Sequence, residues 1–185
     1  RFKILESKLP IEIKASAISK LDSLNNLDDS SNEYNKIKHY IDGLIKIPFG
    51  NYIELSISKN NTELEIKDFL LNSKKILEDA IYGHEEAKCH ILQLISQWIS
   101  NPESKSNSLA IYGDMGIGKT TLIKYGLSKV LGRPYEFISL GGSSDSSFLD
   151  GHSYTYEGAT WGKIVQILQE KKCMNPIIYF DELDK

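Results

Sequence analysis

The sequence predicts an α/β fold, in which strands and helices alternate behind a small helical bundle. Two observations support this prediction. The first half of the chain carries apolar residues at helical spacing in separate stretches. The second half contains short apolar runs at residues 109–112, 135–140 and 177–180, and the first of them leads into a glycine-rich loop and a further helical pattern. Short strand-like runs separated by helical stretches are typical of an α/β protein.

The glycine-rich loop is the most informative stretch of the chain. It fits the pattern G-x-x-x-x-G-K-[ST], and its residues are Gly113, Asp114, Met115, Gly116, Ile117, Gly118, Lys119 and Thr120. In such a phosphate-binding loop, or P-loop, the glycines let backbone N–H groups converge on phosphate oxygens, and the following helix adds the positive end of its dipole. We therefore expect a nucleotide site in which Lys119 reaches the β- and γ-phosphates, Thr120 binds Mg²⁺ and Thr121 is a further contact. The alternative is an accidental glycine-rich turn, which arises in about one chain per hundred of this length.

Two carboxylates follow the third apolar run. Asp181 and Glu182 stand directly after residues 177–180, which is the Walker B arrangement. A buried strand would deliver both side chains to its C-terminal end, where α/β folds bind ligands. Asp181 is expected to hold Mg²⁺ together with Thr120, and Glu182 to orient or deprotonate the water that attacks the γ-phosphate. Lys119 and Glu182 are thus the predicted catalytic residues, and the alternative for the acidic pair is a cap on a strand end.

The composition excludes several classes of protein. With 185 residues, 41% hydrophobic and 25% charged, the chain is predicted to be globular with one or two domains. A formal net charge of −3 gives no electrostatic footprint for nucleic acid. The sequence has no apolar run of about 18 residues and no signal-peptide pattern, so no membrane partner is expected. Cys89 and Cys173 lack metal-ligand spacing, which favours reduced thiols and an intracellular setting. Because the first residue is not Met and the sequence stops at Lys185, both ends are expected to be cuts in a longer protein.

Amphipathic helical patterns dominate the first half of the chain. The first has its predicted inner face at Ile11, Ala15, Ile18, Leu21 and Asn25, and such stripes form a small bundle more often than a ligand site. The others run, in chain order, over residues 34–45, 63–80 and 84–100. An alternating stretch at residues 52–57 predicts a strand, and polar residues 58–62 predict a linker. We therefore predict a helical segment over residues 1–58 and a P-loop module over residues 59–185.

Several phrases of the sequence resemble the Lon family of ATP-dependent proteases. They are Tyr40-Ile41-Asp42-Gly43-Leu44, Pro48-Phe49-Gly50, Tyr82-Gly83, Ile138-Ser139-Leu140-Gly141-Gly142, Gly151-His152, Tyr154-Thr155-Tyr156 and Tyr179-Phe180-Asp181-Glu182-Leu183-Asp184-Lys185. The resemblance covers nearly the whole chain, and the phrases at 138–142 and 151–152 are more specific than the P-loop. It implies an AAA+ module, a P-loop NTPase whose parallel sheet has the strand order 5-1-4-3-2 and of which about three strands are present. Residues 1–50 then match the helical part that joins the family's N-terminal region to its ATPase.

The resemblance also implies roles for individual residues. Tyr82 and Gly83 match the position where the family holds adenine, and the alternative for Tyr82 is a place in the core. Tyr156 and Glu157 match the first pore loop, in which an aromatic ring grips extended polypeptide. A structural role is the alternative for Tyr156.

This sequence departs from the family pattern at two places. Glu157 stands where the family has an apolar residue, and Thr160-Trp161 stands where it has Met-Pro, so the gripping loop is altered. Asp114-Met115 replaces Pro-Pro in the P-loop, but the glycines, Lys119 and Thr120 are all present. We therefore expect phosphate binding to be retained and substrate preference to differ.

The resemblance implies a function for the longer protein. The chain would be the ATPase segment of a Lon-like serine protease, a homohexameric ring that hydrolyses ATP with Mg²⁺, unfolds damaged proteins and threads them to a serine-lysine peptidase beyond Lys185. The expected location is the cytoplasm, with the mitochondrial matrix as the alternative. A non-proteolytic AAA+ remodeller, which the altered pore loop favours, and a regulatory nucleotide-binding module are the other interpretations. Since the family's sensor, arginine finger and lid would follow Lys185, residues 1–185 alone are expected to be inactive.

Overall fold

The computed structural model describes residues 1–25, 27–28, 31–102, 108–141, 147–151 and 161–183. Within these residues the chain forms two compact units. The first unit falls within residues 1–52, 136–176 and 180–185, and the second within residues 53–135 and 177–179. These units are defined by packing alone, and the division into segments 1–58 and 59–185 remains a prediction.

The secondary structure of the described residues is mainly helical. The helices are α1 (Phe2–Glu6), α2 (Ile11–Leu24), α3 (Asn32–Lys46), α4 (Glu63–Ala80), α5 (Glu85–Ser100), α6 (Lys119–Thr121), a π-helical turn (Leu122–Leu127), α7 (Ser128–Leu131), α8 (Ser147–Asp150) and α9 (Lys163–Lys171), and the strands are β1 (Tyr135–Ser139) and β2 (Ile177–Asp181). The four long helices predicted from periodicity are confirmed, whereas α1, α8 and α9 are not among the predicted helices. In the part of the chain that is described, no helix combines the length and the apolar character needed to cross a membrane.

The core of the first unit is formed by residues of α1, α2 and α3 and the segment between α1 and α2. Its buried residues are Ile4, Leu9, Ala17, Ile37, Ile41 and Leu44. The predicted inner face of α2 is wrong at its start, because Ile11 is 85% exposed and Ala15 is also exposed, whereas Ala17 is buried. A second stripe through residues 13, 17, 21 and 24 has equally good helical spacing, and packing against α3 selects it.

Trp161 packs against α3 within the first unit. Its ring stacks on Tyr40, with the ring centroids 5.5 Å apart and an angle of 19° between the planes. The indole also covers the Cα atom of Gly43, where a Cβ would overlap Trp161 Nε1 and lie 2.5 Å from Cε2. Gln166 Nε2 donates to the Trp161 carbonyl oxygen at 2.7 Å, and the backbone of Trp161 forms an isolated antiparallel bridge with Gly151. Position 43 therefore needs glycine because the indole approaches the helix so closely.

Gly43→Ala is expected to destabilise the first unit by about 1 kcal/mol, because overpacking costs about 1–3 kcal/mol and the gain from replacing Gly inside a helix is about 1 kcal/mol. In the Trp161→Ala background the overlap is absent, so the same substitution is expected to stabilise α3 by up to about 1 kcal/mol. Hydrogen exchange of peptides from α3, followed by mass spectrometry in the full-length protein, measures both effects. Faster exchange on adding Gly43→Ala to Trp161→Ala would contradict the packing described here.

The second unit is built on α4, α5 and the helical run 119–131. Thr62 begins α4 with a capping box, in which the Glu65 N–H donates to Thr62 Oγ1 and the Thr62 N–H donates to the Glu65 carboxylate at 2.9 Å. The hydrogen bond from the Thr62 backbone, with those from the side chains of Thr62 and Asn61, lowers the pKa of the Glu65 carboxyl. The cap is therefore formed at neutral pH, where the carboxylate is charged. The buried residues of this unit are Leu77, Ile91, Ile95, Ile99, Leu122, Ile123, Leu127, Val130 and Leu131.

A close contact fixes the helical run 119–131 on α4. Gly126 lies in the π-helical turn, and a Cβ there would come within 2.9 Å of Leu77 Cδ2 and 3.5 Å of Ala80 Cβ. The wider turn occurs where the run meets α4, and such turns are frequent near functional sites. This packing positions the start of the run, and with it the P-loop.

β1 and β2 form a two-stranded sheet. The Ile177 N–H donates to the Pro134 carbonyl at 2.9 Å, and the Leu140 N–H donates to the Asp181 carbonyl at 3.1 Å. The strands thus pair start to start and end to end, which makes them parallel. The second and third strands are neighbours in the order that the resemblance implies, and the pairing of β1 with β2 agrees with that order. The α/β class with a parallel sheet is confirmed.

Two other predicted strands are not formed among the described residues. Residues 52–57 keep the predicted alternation, since Ile53, Leu55 and Ile57 are half-buried, but neither this stretch nor residues 109–112 is assigned to a strand. A strand needs a ladder of hydrogen bonds to a neighbour. In the order 5-1-4-3-2, the strand before the P-loop has only the fourth and fifth strands as neighbours, and neither is among the strand candidates of this sequence. Apolar alternation therefore predicts burial correctly at 52–57, whereas pairing depends on a partner.

Candidate functional site

The P-loop lies in the second unit and leads directly into the helical run 119–131. Gly116 and Gly118 have left-handed backbone conformations, with φ of 77° and 90°. Such angles favour glycine. At Gly118 a side chain is excluded for a second reason, because a Cβ would overlap the side chain of Ile81. The chain therefore turns sharply just before Lys119, which is the conformation that backbone N–H groups need in order to converge on a phosphate.

Lys119 folds back over the P-loop. Its Nζ donates to the carbonyl oxygens of Gly113 at 2.7 Å and Asp114 at 2.6 Å. The side chain of Ile117 lies at the same place, since a Cβ on Gly113 would be 2.6 Å from Ile117 Cδ1. Hydrogen bonds from an ammonium group to an anion are stronger than those to neutral carbonyls. A phosphate that enters the loop would therefore compete successfully for Lys119.

Residues 81–84 pack against the P-loop. The Tyr82 side chain is fully exposed, so the alternative that places it in the core is wrong. Gly83 and His84 are both left-handed, with φ of 73° and 58°, and His84 Nε2 lies 2.8 Å from the Ile117 carbonyl oxygen. A carbonyl oxygen can only accept, so Nε2 carries a proton and donates it. The sequence patterns do not mark His84, because a single histidine after a glycine belongs to no recognisable motif.

Asp181 and Glu182 lie in the first unit, where Asp181 ends β2. Glu182 has a left-handed φ of 57°, which is uncommon for a residue other than glycine and marks local strain. Its carboxylate lies against the Cα atom of Gly141, where a Cβ would overlap Oε2. Gly141 therefore leaves room for the Glu182 carboxylate, a role that the sequence alone does not indicate.

The predicted site residues fall into groups according to the compact unit in which they lie. The P-loop residues, with Thr121 half-buried in the helical run, lie near Tyr82 and Gly83 in the second unit. Asp181 and Glu182 belong to the first unit. Tyr156 and Glu157 lie outside the described residues, so their proposed role in gripping polypeptide stays a prediction.

The candidate residues include oxygen ligands that suit Mg²⁺. The Thr120 hydroxyl and the Asp181 carboxylate are hard donors of the type that Mg²⁺ prefers. Among the described residues there is no cluster of three or more His, Cys, Asp and Glu side chains that could form a metal cage. Mg²⁺ is usually held by one or two carboxylates, water and substrate phosphates rather than by such a cage. Each of these two groups is therefore of a type that suits Mg²⁺ arriving with a nucleotide.

Comparison with known proteins identifies the class of protein. Residues 109–185, which include the P-loop, match the ATPase family associated with various cellular activities (AAA). Together with the parallel pair β1 and β2, this match makes the second half of the chain part of an AAA-type ATPase.

Similarity over the whole chain narrows the identification from the AAA class to one family within it. The chain is 34% identical over 185 residues, 100% of its length, to the human "Lon protease homolog, mitochondrial", and 34% identical over 184 residues, 99% of its length, to the Lon protease of Clostridium beijerinckii. It is 36% identical over 168 residues, 87% of its length, to the Lon protease homolog of Acanthamoeba polyphaga mimivirus. The chain belongs to the Lon family as an AAA+ ATPase segment. It spans 18%, 22% and 16% of these three relatives.

Proposed function

We propose that the chain is the ATPase segment of a Lon-like, ATP-dependent serine protease. The observation that supports this most directly is the P-loop, in which the left-handed Gly118 precedes a Lys119 that faces the loop carbonyls. In this proposal the working protein is a homohexameric ring with ATP and Mg²⁺, located in the cytoplasm or the mitochondrial matrix. It hydrolyses ATP to unfold damaged proteins and to translocate them to its peptidase.

The proposed residues divide the chemistry of hydrolysis among them. When ATP binds, Lys119 exchanges its two carbonyl partners for β- and γ-phosphate oxygens, and the loop N–H groups bind neighbouring oxygens. Thr120 and Asp181 would hold Mg²⁺, which would supply charge neutralisation at the phosphates. Glu182 orients a water molecule and takes its proton as the water oxygen bonds to the γ-phosphorus. The bond from the γ-phosphorus to the β–γ bridging oxygen breaks, and ADP leaves with that oxygen.

One experiment separates this proposal from its two alternatives. The full-length protein is incubated with ATP and a fluorescent folded substrate, and phosphate release, loss of fluorescence and new peptide ends are followed together. ATP-dependent peptide products support the protease. Unfolding and phosphate release without peptides would indicate a non-proteolytic remodeller. Nucleotide binding without phosphate release would indicate a regulatory module.

Tyr82→Ala is expected to weaken ATP binding by about tenfold and to leave the binding of inorganic triphosphate unchanged, because stacking of an aromatic ring on a base contributes about 1–3 kcal/mol. The side chain is fully exposed, so its removal leaves the core intact. Competition with a fluorescent ATP analogue measures both affinities in the full-length protein. Tyr82→Phe keeps the ring and serves as the matched control. An equal loss for triphosphate would mean that Tyr82 does not contact the base.

Tyr156→Ala is expected to slow the degradation of a folded substrate by about tenfold or more, with a change in basal ATP turnover below about twofold. An aromatic ring can wedge between backbone units of an extended chain without reading its sequence. Lys119 and Glu182 carry out hydrolysis in this proposal, so turnover does not need that ring. Parallel assays of peptide release and phosphate release measure the uncoupling, and Tyr156→Phe is the control. If both activities fell equally, Tyr156 would have a structural role instead.

A further inference from the structure

The His84 side chain reaches the P-loop rather than the start of its own helix. His84 is the residue that precedes α5, yet its side chain makes no capping hydrogen bond there. Its Nε2 donates instead to the Ile117 carbonyl oxygen at 2.8 Å. We propose that His84 is a positioning residue for the nucleotide phosphates, and that it acts through the peptide group joining Ile117 to Gly118.

The geometry of this peptide group carries the inference. No cis peptide bond is present in the described residues, so the Ile117 C=O and the Gly118 N–H lie in one plane and point in opposite directions. A donor that holds the carbonyl oxygen on one side therefore turns the Gly118 N–H to the other side. The same hydrogen bond polarises the amide, which makes its N–H a stronger donor. In a P-loop the backbone N–H groups of these residues cradle the phosphates.

Ile81 supports the same peptide group at its other residue. The Ile81 side chain lies against the Cα atom of Gly118, where a Cβ would overlap it. Residues 81–84 thus meet the P-loop at two consecutive residues, through an apolar contact at Gly118 and a hydrogen bond at Ile117. Left-handed backbone is unfavourable for a residue such as His84, and the hydrogen bond to Ile117 offsets that cost. Both contacts act on the one peptide group that precedes Lys119.

The His84 contact differs from the Lys119 contacts in what happens when phosphate arrives. Lys119 leaves the carbonyl oxygens of Gly113 and Asp114, because its ammonium group forms stronger hydrogen bonds with the charged phosphate oxygens. His84 holds the Ile117 carbonyl oxygen, which points away from the Gly118 N–H, so in this proposal its N–H lies on the side of the peptide group opposite the phosphate. The His84 hydrogen bond is therefore compatible with the bound nucleotide, and it holds the loop in the same shape before and after binding.

This inference rests on the proposed nucleotide site, and its test uses two probes. ATP and inorganic triphosphate each compete with a fluorescent nucleotide for the full-length wild type, His84→Ala and His84→Gln. Loss of one neutral hydrogen bond is expected to weaken both probes by about fivefold in His84→Ala. His84→Gln is expected to recover most of the loss, because its side-chain amide also donates an N–H. His90→Ala, at an exposed histidine of α5, is the matched control and should leave both affinities unchanged.

Each outcome of this test decides between roles for His84. Equal weakening of both probes, with recovery in His84→Gln, supports a role at the phosphates. Weakening of ATP alone would overturn the inference in favour of an effect on the base through Tyr82, and loss without recovery in His84→Gln would assign it to packing. Unchanged affinities would also overturn it when Lys119→Ala loses ATP binding in the same assay. If Lys119→Ala binds ATP normally, the proposed nucleotide site itself fails.

Discussion

Glu182→Gln is expected to lower the ATP turnover of the full-length protein by about 1000-fold and to leave its ATP affinity within about twofold. A general base contributes about 10²–10⁴ in rate, and an amide cannot take the proton of the attacking water. The two side chains have the same shape, so Gln fits the space that Gly141 leaves. Since Lys119 and Thr120 are unchanged, the contacts proposed for the phosphates and Mg²⁺ remain. Phosphate release and isothermal titration calorimetry measure the two quantities.

The control for this experiment is Glu170→Gln, which makes the same change of charge at an exposed glutamate of α9. Its turnover should equal that of the wild type. Normal turnover in Glu182→Gln would remove Glu182 from the catalytic step. A large loss of affinity would instead show that Glu182 helps to hold the nucleotide.

Lys119→Ala is expected to weaken ATP binding by about 100-fold, which corresponds to about 2.7 kcal/mol. Hydrogen bonds to charged groups contribute about 1.5–3 kcal/mol each, and Lys119 is placed to make them with two phosphates. The substitution also removes the hydrogen bonds from Nζ to Gly113 and Asp114, which link the last part of the P-loop to its first two residues. Isothermal titration calorimetry of the full-length protein measures the affinity.

Lys124→Ala is the matched control for Lys119→Ala. Lys124 is an exposed lysine of the same helical run, and its Nζ lies 5.2 Å from the centroid of the Tyr125 ring. Its removal lowers the charge of the run by the same amount without touching the P-loop. An ATP affinity of Lys119→Ala within about fivefold of the control would contradict the proposed nucleotide site.

The long helices could be predicted because each contains its own local signal. The predicted range of α4, residues 63–80, agrees with the structure, and the start coincides with the capping box of Thr62 and Glu65. α9 has apolar residues at helical spacing, Ile164, Ile167 and Leu168, but its nine residues fall below the length at which periodicity separates a helix from a short apolar strand. The inner face of α2 depends on which of its two apolar stripes meets α3. Whether residues 52–57 and 109–112 form strands depends on the presence of a neighbouring strand. These features are decided by packing between segments, which periodicity within one segment does not report.

The P-loop could be predicted for a similar reason. Backbone binding of phosphate requires glycines at fixed spacing, so the residues that bind phosphate are consecutive in the sequence. The contact of His84 with Ile117 joins residues 33 positions apart, and a single side chain leaves no periodic trace. The closeness of Glu182 to Gly141 is of the same kind. Sequence patterns thus locate the loop, whereas the residues that support it become visible only through the packing of separate segments.

Trp161 has a mechanical consequence for the first unit. The bridge between Gly151 and Trp161 holds these two residues together at one place in the unit. The indole of Trp161 packs against α3, where it covers Gly43 and stacks on Tyr40. Tension that reaches Trp161 along the chain is therefore transmitted to α3 and spreads into the core that α3 shares with α1 and α2. These three helices would then bear the load at Trp161 together, because they share one core.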